Sequence, residues 1–404
     1  MVQLKELDIE KVFSFAFSWL RDARLQKLIG AFYLSNLILS IAIVLMFGIL
    51  GSMVLLFIPQ DIVESLIQYV QQATGERLID LSYLAMLGFS FVLLYLFITI
   101  IGTVFVYYYF GWNRDFDFNT LVKKILKALF YIYAVPVIIV SAAIITLILV
   151  FTTQLTQTGD LIFSILLPVG FLLFVLAGIT YTIVNIFGFR YIHDFFLTAK
   201  VLEIGGQKTL FADITLANFV ACVKLYIVEL FATIFNFVSP TMMKIQGTLI
   251  GLSIVLILLG LFVSSYLYVF LLPTALAYFV TIIYNMLRFS FSSVVRILEV
   301  DGAVAAVRQT WEYTRNYAFA IALVAVVTAI ASMILSLLLS VPASVVDFLA
   351  SLIPALVILK SISSGISTLT DTLATVLVAM IYVLMRIAIY VQVLAALGKK
   401  PLNF

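Results

Sequence analysis

Eight apolar runs, at residues 28–57, 81–109, 128–151, 161–189, 219–238, 248–287, 318–341 and 366–397, divide the chain, and its polar and charged residues gather between them. Each run reaches the roughly 20 residues a helix needs to cross hydrocarbon, and several go well past it. Backbone amides in lipid must be paired within their own segment, so each run is predicted to be a helix. The run at 248–287 is long enough for two spans. No polar turn interrupts it, only Pro273, and a reversal inside hydrocarbon would strand backbone groups. The pattern therefore predicts one long helix that bends at Pro273 and runs on beyond the hydrocarbon.

The connections have a pattern of their own. Over residues 8–27, Ile9, Val12, Phe13, Ala16, Trp19, Leu20 and Ala23 share one face while Glu10, Ser14, Arg21 and Arg24 share the other, as in a helix lying in the interface, with Asp8 as its N-cap. Residues 61–82 repeat the theme with Ile62, Leu66 and Val70 set against Glu64, Gln68 and Gln72. Residues 343–360, broken by Pro354, are predicted to dip into the outer leaflet without crossing.

Composition fixes the class. Of the 404 residues 64% are hydrophobic and 11% charged, which leaves no stretch for a separate soluble core, so residues 1–404 read as a single all-α polytopic membrane domain. Glu6, Asp8, Glu10 and Asp22 in the first stretch argue against a cleaved signal peptide. Placing eight spans leaves only Arg77, Lys244 and Lys360 on one side of the membrane, whereas splitting the run at 248–287 spreads the basic residues over both sides. The positive-inside rule then predicts a cell-membrane protein with both termini cytoplasmic. A net charge of +3 without a basic stripe gives no nucleic-acid partner. A lone Cys222 excludes internal disulfides and cysteine-rich metal sites.

Lys200-Val201-Leu202-Glu203-Ile204-Gly205-Gly206 matches Arg296-Ile297-Leu298-Glu299-Val300-Asp301-Gly302. Similar flanks, Thr182-Ile183-Val184 and Thr281-Ile282-Ile283 before and Ser239-Pro240 and Val341-Pro342 after, suggest repeat units at 1–110, 111–190, 191–287 and 288–404. Both glycines are expected to end a helix in equivalent turns. The second unit carries a family likeness. Leu298 to Gly302, then Ala305-Ala306-Val307-Arg308-Gln309-Thr310-Trp311-Glu312-Tyr313-Thr314-Arg315-Asn316 and an apolar span, resembles the helix-turn-helix and tryptophan-then-arginine entry of prokaryotic multi-pass proteins. These are similar to the membrane domain of glycerophosphoryl diester phosphodiesterases. The likeness covers residues 281–342 and extends to 182–240. In those phosphodiesterases catalysis belongs to a separate barrel domain, so the resemblance implies no activity and no catalytic residue. The richness in Ile and Val suits an archaeon.

An ionisable side chain within a span is a functional candidate, which singles out Lys224, Glu229, Asp371 and Arg386. Lys224 and Glu229 lie about 140° apart around one helix, so Glu229 is expected to find its partner on another helix and to face the bundle interior. Trp19 with Arg21, Trp112 with Arg114, and Trp311 with Arg315 stand at span boundaries, where they could contact lipid head groups or form an ordinary aromatic belt. His193 beside Asp194 lacks the companions of a metal site, and Gly247 with Gly251 offers a close-packing motif. No hydrolase, zinc-protease or phosphate-loop motif occurs, so no cofactor and no enzyme is expected. The reading is a non-catalytic lipid-associated or assembly protein, partnered by membrane lipids and by another chain or a second copy. The alternative is a transporter subunit with a polar path near Glu229 and Asp371.

Overall fold

The structure, a computed structural model, describes residues 7–57, 92–105, 108, 118–155, 160–209, 211, 215–352 and 357–399. Among them every regular element is helical: α1 (Ile9–Ala16), α2 (Ala23–Phe57), α3 (Val92–Phe105), α4 (Phe118–Leu155), α5 (Asp160–Arg190), α6 (Leu197–Ile204), α7 (Leu216–Phe235), α8 (Pro240–Phe262), α9 (Leu271–Arg288), α10 (Ser292–Leu298), α11 (Ala303–Tyr313), α12 (Ala318–Leu352) and α13 (Val357–Ala396). Among the described residues six helices are long and apolar enough to cross a membrane, so the chain is an all-α polytopic membrane protein. The expected connection at 61–82 and most of the second run lie outside the described residues.

Local chemistry sets several boundaries. Asp8 caps α1 by accepting the Lys11 amide at 3.1 Å. A single 3-10 turn, Ser18–Leu20, follows. The Asp22 carboxylate then accepts the Arg24 amide at 2.8 Å, so a new helix begins at Ala23 and continues into the first span. The predicted 8–27 helix is thus two pieces, and Leu20 is exposed. Residues 343–352, expected to form a separate dip, prolong α12 straight through Pro342. A proline within an apolar helix forfeits one backbone bond and need not end it.

The chain divides into two compact units. In the one made of Lys27–Gly188 and Ile334–Leu377, α2 buries Leu28, Phe32 and Leu37 completely. Tyr33 donates to the Leu369 carbonyl at 3.1 Å, and a Cβ on Gly102 would lie 2.7 Å from a Leu369 methyl, which fixes how closely α3 and α13 approach. The other unit comprises Met1–Gln26, Phe189–Met333 and Val378–Phe404, and among the described residues it holds most of the buried polar groups.

Two expectations fail in this second unit. The run at 248–287 is no single bent helix but an antiparallel hairpin of α8 and α9, turned by Val263, Ser264 and the 3-10 helix Ser265–Phe270. Pro273 sits in the first turn of α9, where its missing amide has no partner to lose. The turn strands few backbone groups, because Val263 and Ser264 amides bond the Leu259 carbonyl at 2.8 and 3.1 Å and the Leu267 amide bonds Ser264. Gln246 Nε2 meets Thr281 Oγ1 at 3.2 Å at one end, and Gly260 receives the Tyr268 ring at the other. The matched heptads also diverge. Gly206 closes α6 at φ +81°, in the left-handed region, while Gly302 is extended at φ −179° and opens α11. They share a residue pattern and not a turn.

The hairpin closure yields a prediction. A Cβ at Gly260 would fall on the Tyr268 ring, whereas one at Gly251 meets nothing within 4 Å. Gly260→Ala should lower stability by about 1–3 kcal/mol in thermal unfolding, as overpacking does. Gly251→Ala should be neutral or slightly stabilising.

Candidate functional site

A line of four charges of alternating sign runs through this second unit. It starts at the end of α5, where Tyr191–Phe196 form a π-helix before α6 begins. Arg190 immediately precedes that segment, Asp194 lies within it, and the two meet at 3.5 Å. Arg386 of α13 reaches the other oxygen of Asp194 at 2.9 Å. On its far side Arg190 donates through Nη2 to Oε2 of Glu229 on α7, while Ser292, the first residue of α10, donates to Oε1. The Arg190 guanidinium also lies over the Tyr226 ring, 4.5 Å from its centroid. The order Glu229, Arg190, Asp194, Arg386 sums to zero charge and ties four helices together. In an apolar setting such bonds are strong because each ion has surrendered its water.

Just beyond the span, burial alone would raise Asp194, but Arg386 and Arg190 outweigh it and hold the carboxyl below its ordinary value of 3.8. Burial pushes His193 the other way, down to about 4, despite Asp194 beside it, so the imidazole is neutral at pH 7. Its ring packs 4.2 Å from that of Phe189.

Three further polar groupings surround this line. Arg288, 3% exposed, lies 3.6 Å over the Trp311 ring, donating to Thr314 Oγ1 at 2.9 Å, to Tyr284 at 3.0 Å and to the Trp311 carbonyl. Asn236, left-handed at φ 34°, ends α7 and donates to Asn285 at 2.6 Å, which in turn donates to the Thr233 carbonyl at 2.8 Å. Glu299 accepts from Gln309, Tyr313 and Tyr390.

The four sequence candidates do not form one site. Glu229 is buried and paired with a cation on another helix, and Arg386 joins it through Asp194 and Arg190. Lys224 is exposed and lines a groove with the start of α11 instead. Asp371 is exposed, takes a 2.9 Å hydrogen bond from Ser367, and belongs to the other compact unit. Of the aromatic pairs, Trp112 and Arg114 lie outside the described residues, Trp19 is half-buried beside an exposed Arg21, and Trp311 is covered by Arg288 while Arg315 is exposed. The cation that lies over the Trp311 ring is Arg288 of α9 and not its sequence neighbour Arg315. Arg190 and Asp194 were missed as members of the charge line, although their spacing of four at the end of an apolar run is a usable signal. Among the described residues no group of three or more His, Cys, Asp or Glu could hold a metal.

No protein-family model, no curated protein and no solved structure matches the chain.

Removing the shared cation should be the most damaging change. Arg190→Met strands Glu229 and weakens the hold on Asp194, and should cost about 3–5 kcal/mol in thermal unfolding. Adding Glu229→Leu to it should recover a large part of that loss, since an apolar pair then replaces an orphaned charge. The pH dependence has a definite sign. With its folded pKa depressed, Asp194 contributes stability in full above about pH 4 and loses it as pH falls through the folded value. Asp194→Asn should flatten the acid limb of a stability-against-pH curve.

Proposed function

We propose that this chain is a non-catalytic multi-pass protein of the cell membrane with a lipid-associated or assembly role and both termini in the cytoplasm. The observation that carries the reading is the state of Glu229. Both its oxygens are engaged by Arg190 and Ser292, and Arg190 is tied onward to Asp194. A carboxylate consumed in joining helices is poorly placed to hand a proton or ion along a path. Asp371, the other acid such a path would use, belongs to the other compact unit and is bonded to Ser367.

The hairpin supports a revised course across the bilayer. The end of α7 is bonded to Asn285 of α9 and Gln246 of α8, level with Thr281, so roughly 25 Å of apolar hairpin remain above it at 1.5 Å per residue. If α7 crossed the membrane, that length, with Phe262 and Tyr266 more than four-fifths exposed, would stand in water. The economical arrangement lays α7 at the inner boundary and gives the two crossings to α8 and α9. Lys244 then returns to the inner side and only Arg77 and Lys360 remain outside among the basic residues between spans, a sharper agreement with the positive-inside rule than the single long helix allows. The number of crossings and the side of the termini are unchanged by this exchange.

With Cys222 replaced, a cysteine at Ser264 should label from outside, and cysteines at Gln207 and Gln309 only after permeabilisation. External labelling at Gln309 would mean that α7, α8 and α9 all cross. The role is tested by Glu229→Gln in reconstituted vesicles: the expected outcome is a modest fall in melting temperature with no change in proton or solute flux. Flux in the parent protein that vanishes in the variant while the fold survives would replace the assembly reading by the transporter.

A further inference from the structure

An unclaimed cavity of about 530 Å³ lies in the same unit as the charge line, where the loop after α6 meets the end of α13. Lys208, Lys399, Glu299, Tyr390, Leu298 and Leu394 line it. Gly206 makes it: the left-handed residue closes α6 and turns the chain so that Gln207 and Lys208 form one wall.

The acid in this cavity is already occupied. Glu299 accepts from Gln309 and from Tyr313 at one oxygen, and from Tyr390 at the other. Tyr313 in turn accepts from the Lys399 ammonium, whose nitrogen lies 4.5 Å from the centre of the same ring. That hydrogen bond raises Lys399 above its ordinary value, so it stays charged at any physiological pH. Among the described residues no ion pair holds Lys208 or Lys399. The cavity therefore presents two cations against one saturated carboxylate, together with an apolar flank at Leu298 and Leu394.

We propose that this cavity binds a phosphate ester with an apolar tail, the chemistry of an anionic phospholipid head group. The two ammoniums take the phosphate oxygens, and Leu298 and Leu394 take the first part of the tail. A 530 Å³ volume suits a head group and the start of its chains. The site rests on the lipid-associated reading and on its inner-side placement, where anionic lipid faces basic residues. Lys399, held by Tyr313, is the fixed half of the site, and Lys208 on the loop is the adjustable half.

The test uses the purified full chain in detergent and four probes: dioctanoyl phosphatidic acid, dioctanoylglycerol, glycerol 3-phosphate and inorganic phosphate, read by shift in melting temperature and by titration. The phosphatidic acid should bind saturably, and Lys208→Gln with Lys399→Gln should weaken it about thirtyfold, roughly one and a half decades for two surface lysines. Lys208→Arg with Lys399→Arg should retain most of the binding and guards against misfolding of the glutamine variant. Lys224→Gln should leave binding intact. Equal binding of inorganic phosphate would overturn the lipid assignment in favour of a free anion, and equal binding of dioctanoylglycerol would overturn the role of the phosphate. Unchanged affinity in the double glutamine variant would overturn the site itself. Flux that depends on Glu229 would defeat the assembly reading without altering these titrations, so the two failures are separable.

Discussion

A guanidinium that has given up water must be repaid on every face, and Arg190 meets that demand with the carboxylates of Glu229 and Asp194 and the Tyr226 ring. Because Coulomb attraction grows as the local dielectric falls, these contacts dictate which helix ends can approach one another. α5, α7, α10 and α13 come together there, with Ser292 and Arg386 as the outer members of the set. Shape packing alone would leave those apolar helices many alternative rotations, and the requirement to neutralise each ion removes most of them. Specificity of register is the natural contribution of such a group, in keeping with the best-attested use of buried polar residues.

The same economy governs the less charged polar groups. Arg288 has no carboxylate beside it among the described residues, yet its guanidinium is spread over the Trp311 ring, two hydroxyls and a carbonyl. The left-handed Asn236 ends α7 and hands its amide to Asn285, so the break between α7 and α8 occurs where side chains stand ready to take up freed backbone groups. Irregular backbone in a membrane protein is tolerated where other protein groups cover and bond it.

Much of the fold was legible because the solvent dictates it. Apolar length and the need to pair amides give helices directly, and the capping role of Asp8 follows from one carboxylate before an apolar stripe. The hairpin was not legible. Its turn offers only the serine pair Ser264-Ser265 among aliphatic and aromatic residues, and what permits it is the lodging of Tyr268 against Gly260, a contact between residues eight apart that periodicity does not register. The matched heptads misled for the converse reason: a glycine after a helix reads alike whether its φ is +81° or −179°. For the site, depth alone singled out Glu229 and Arg386, and the 140° separation correctly divided Glu229 from Lys224. Arg190 and Asp194 were hidden because charges at the edge of an apolar run read as an interfacial anchor, and only the folded chain reveals that four elements converge there.

The π-helix at Tyr191–Phe196 carries an implication about which changes in chain length the protein could absorb. A π-turn contains one residue more than an α-turn, so deleting a single residue within 191–196 would heal it into regular helix. Every side chain beyond would then swing by about 100° around the axis relative to α5. Buried faces such as Val201 and Leu202 would turn outward while the preceding span stayed unchanged. The six-residue segment thus sets the phase at which α6 presents Val201 and Leu202 to the interior of its own unit.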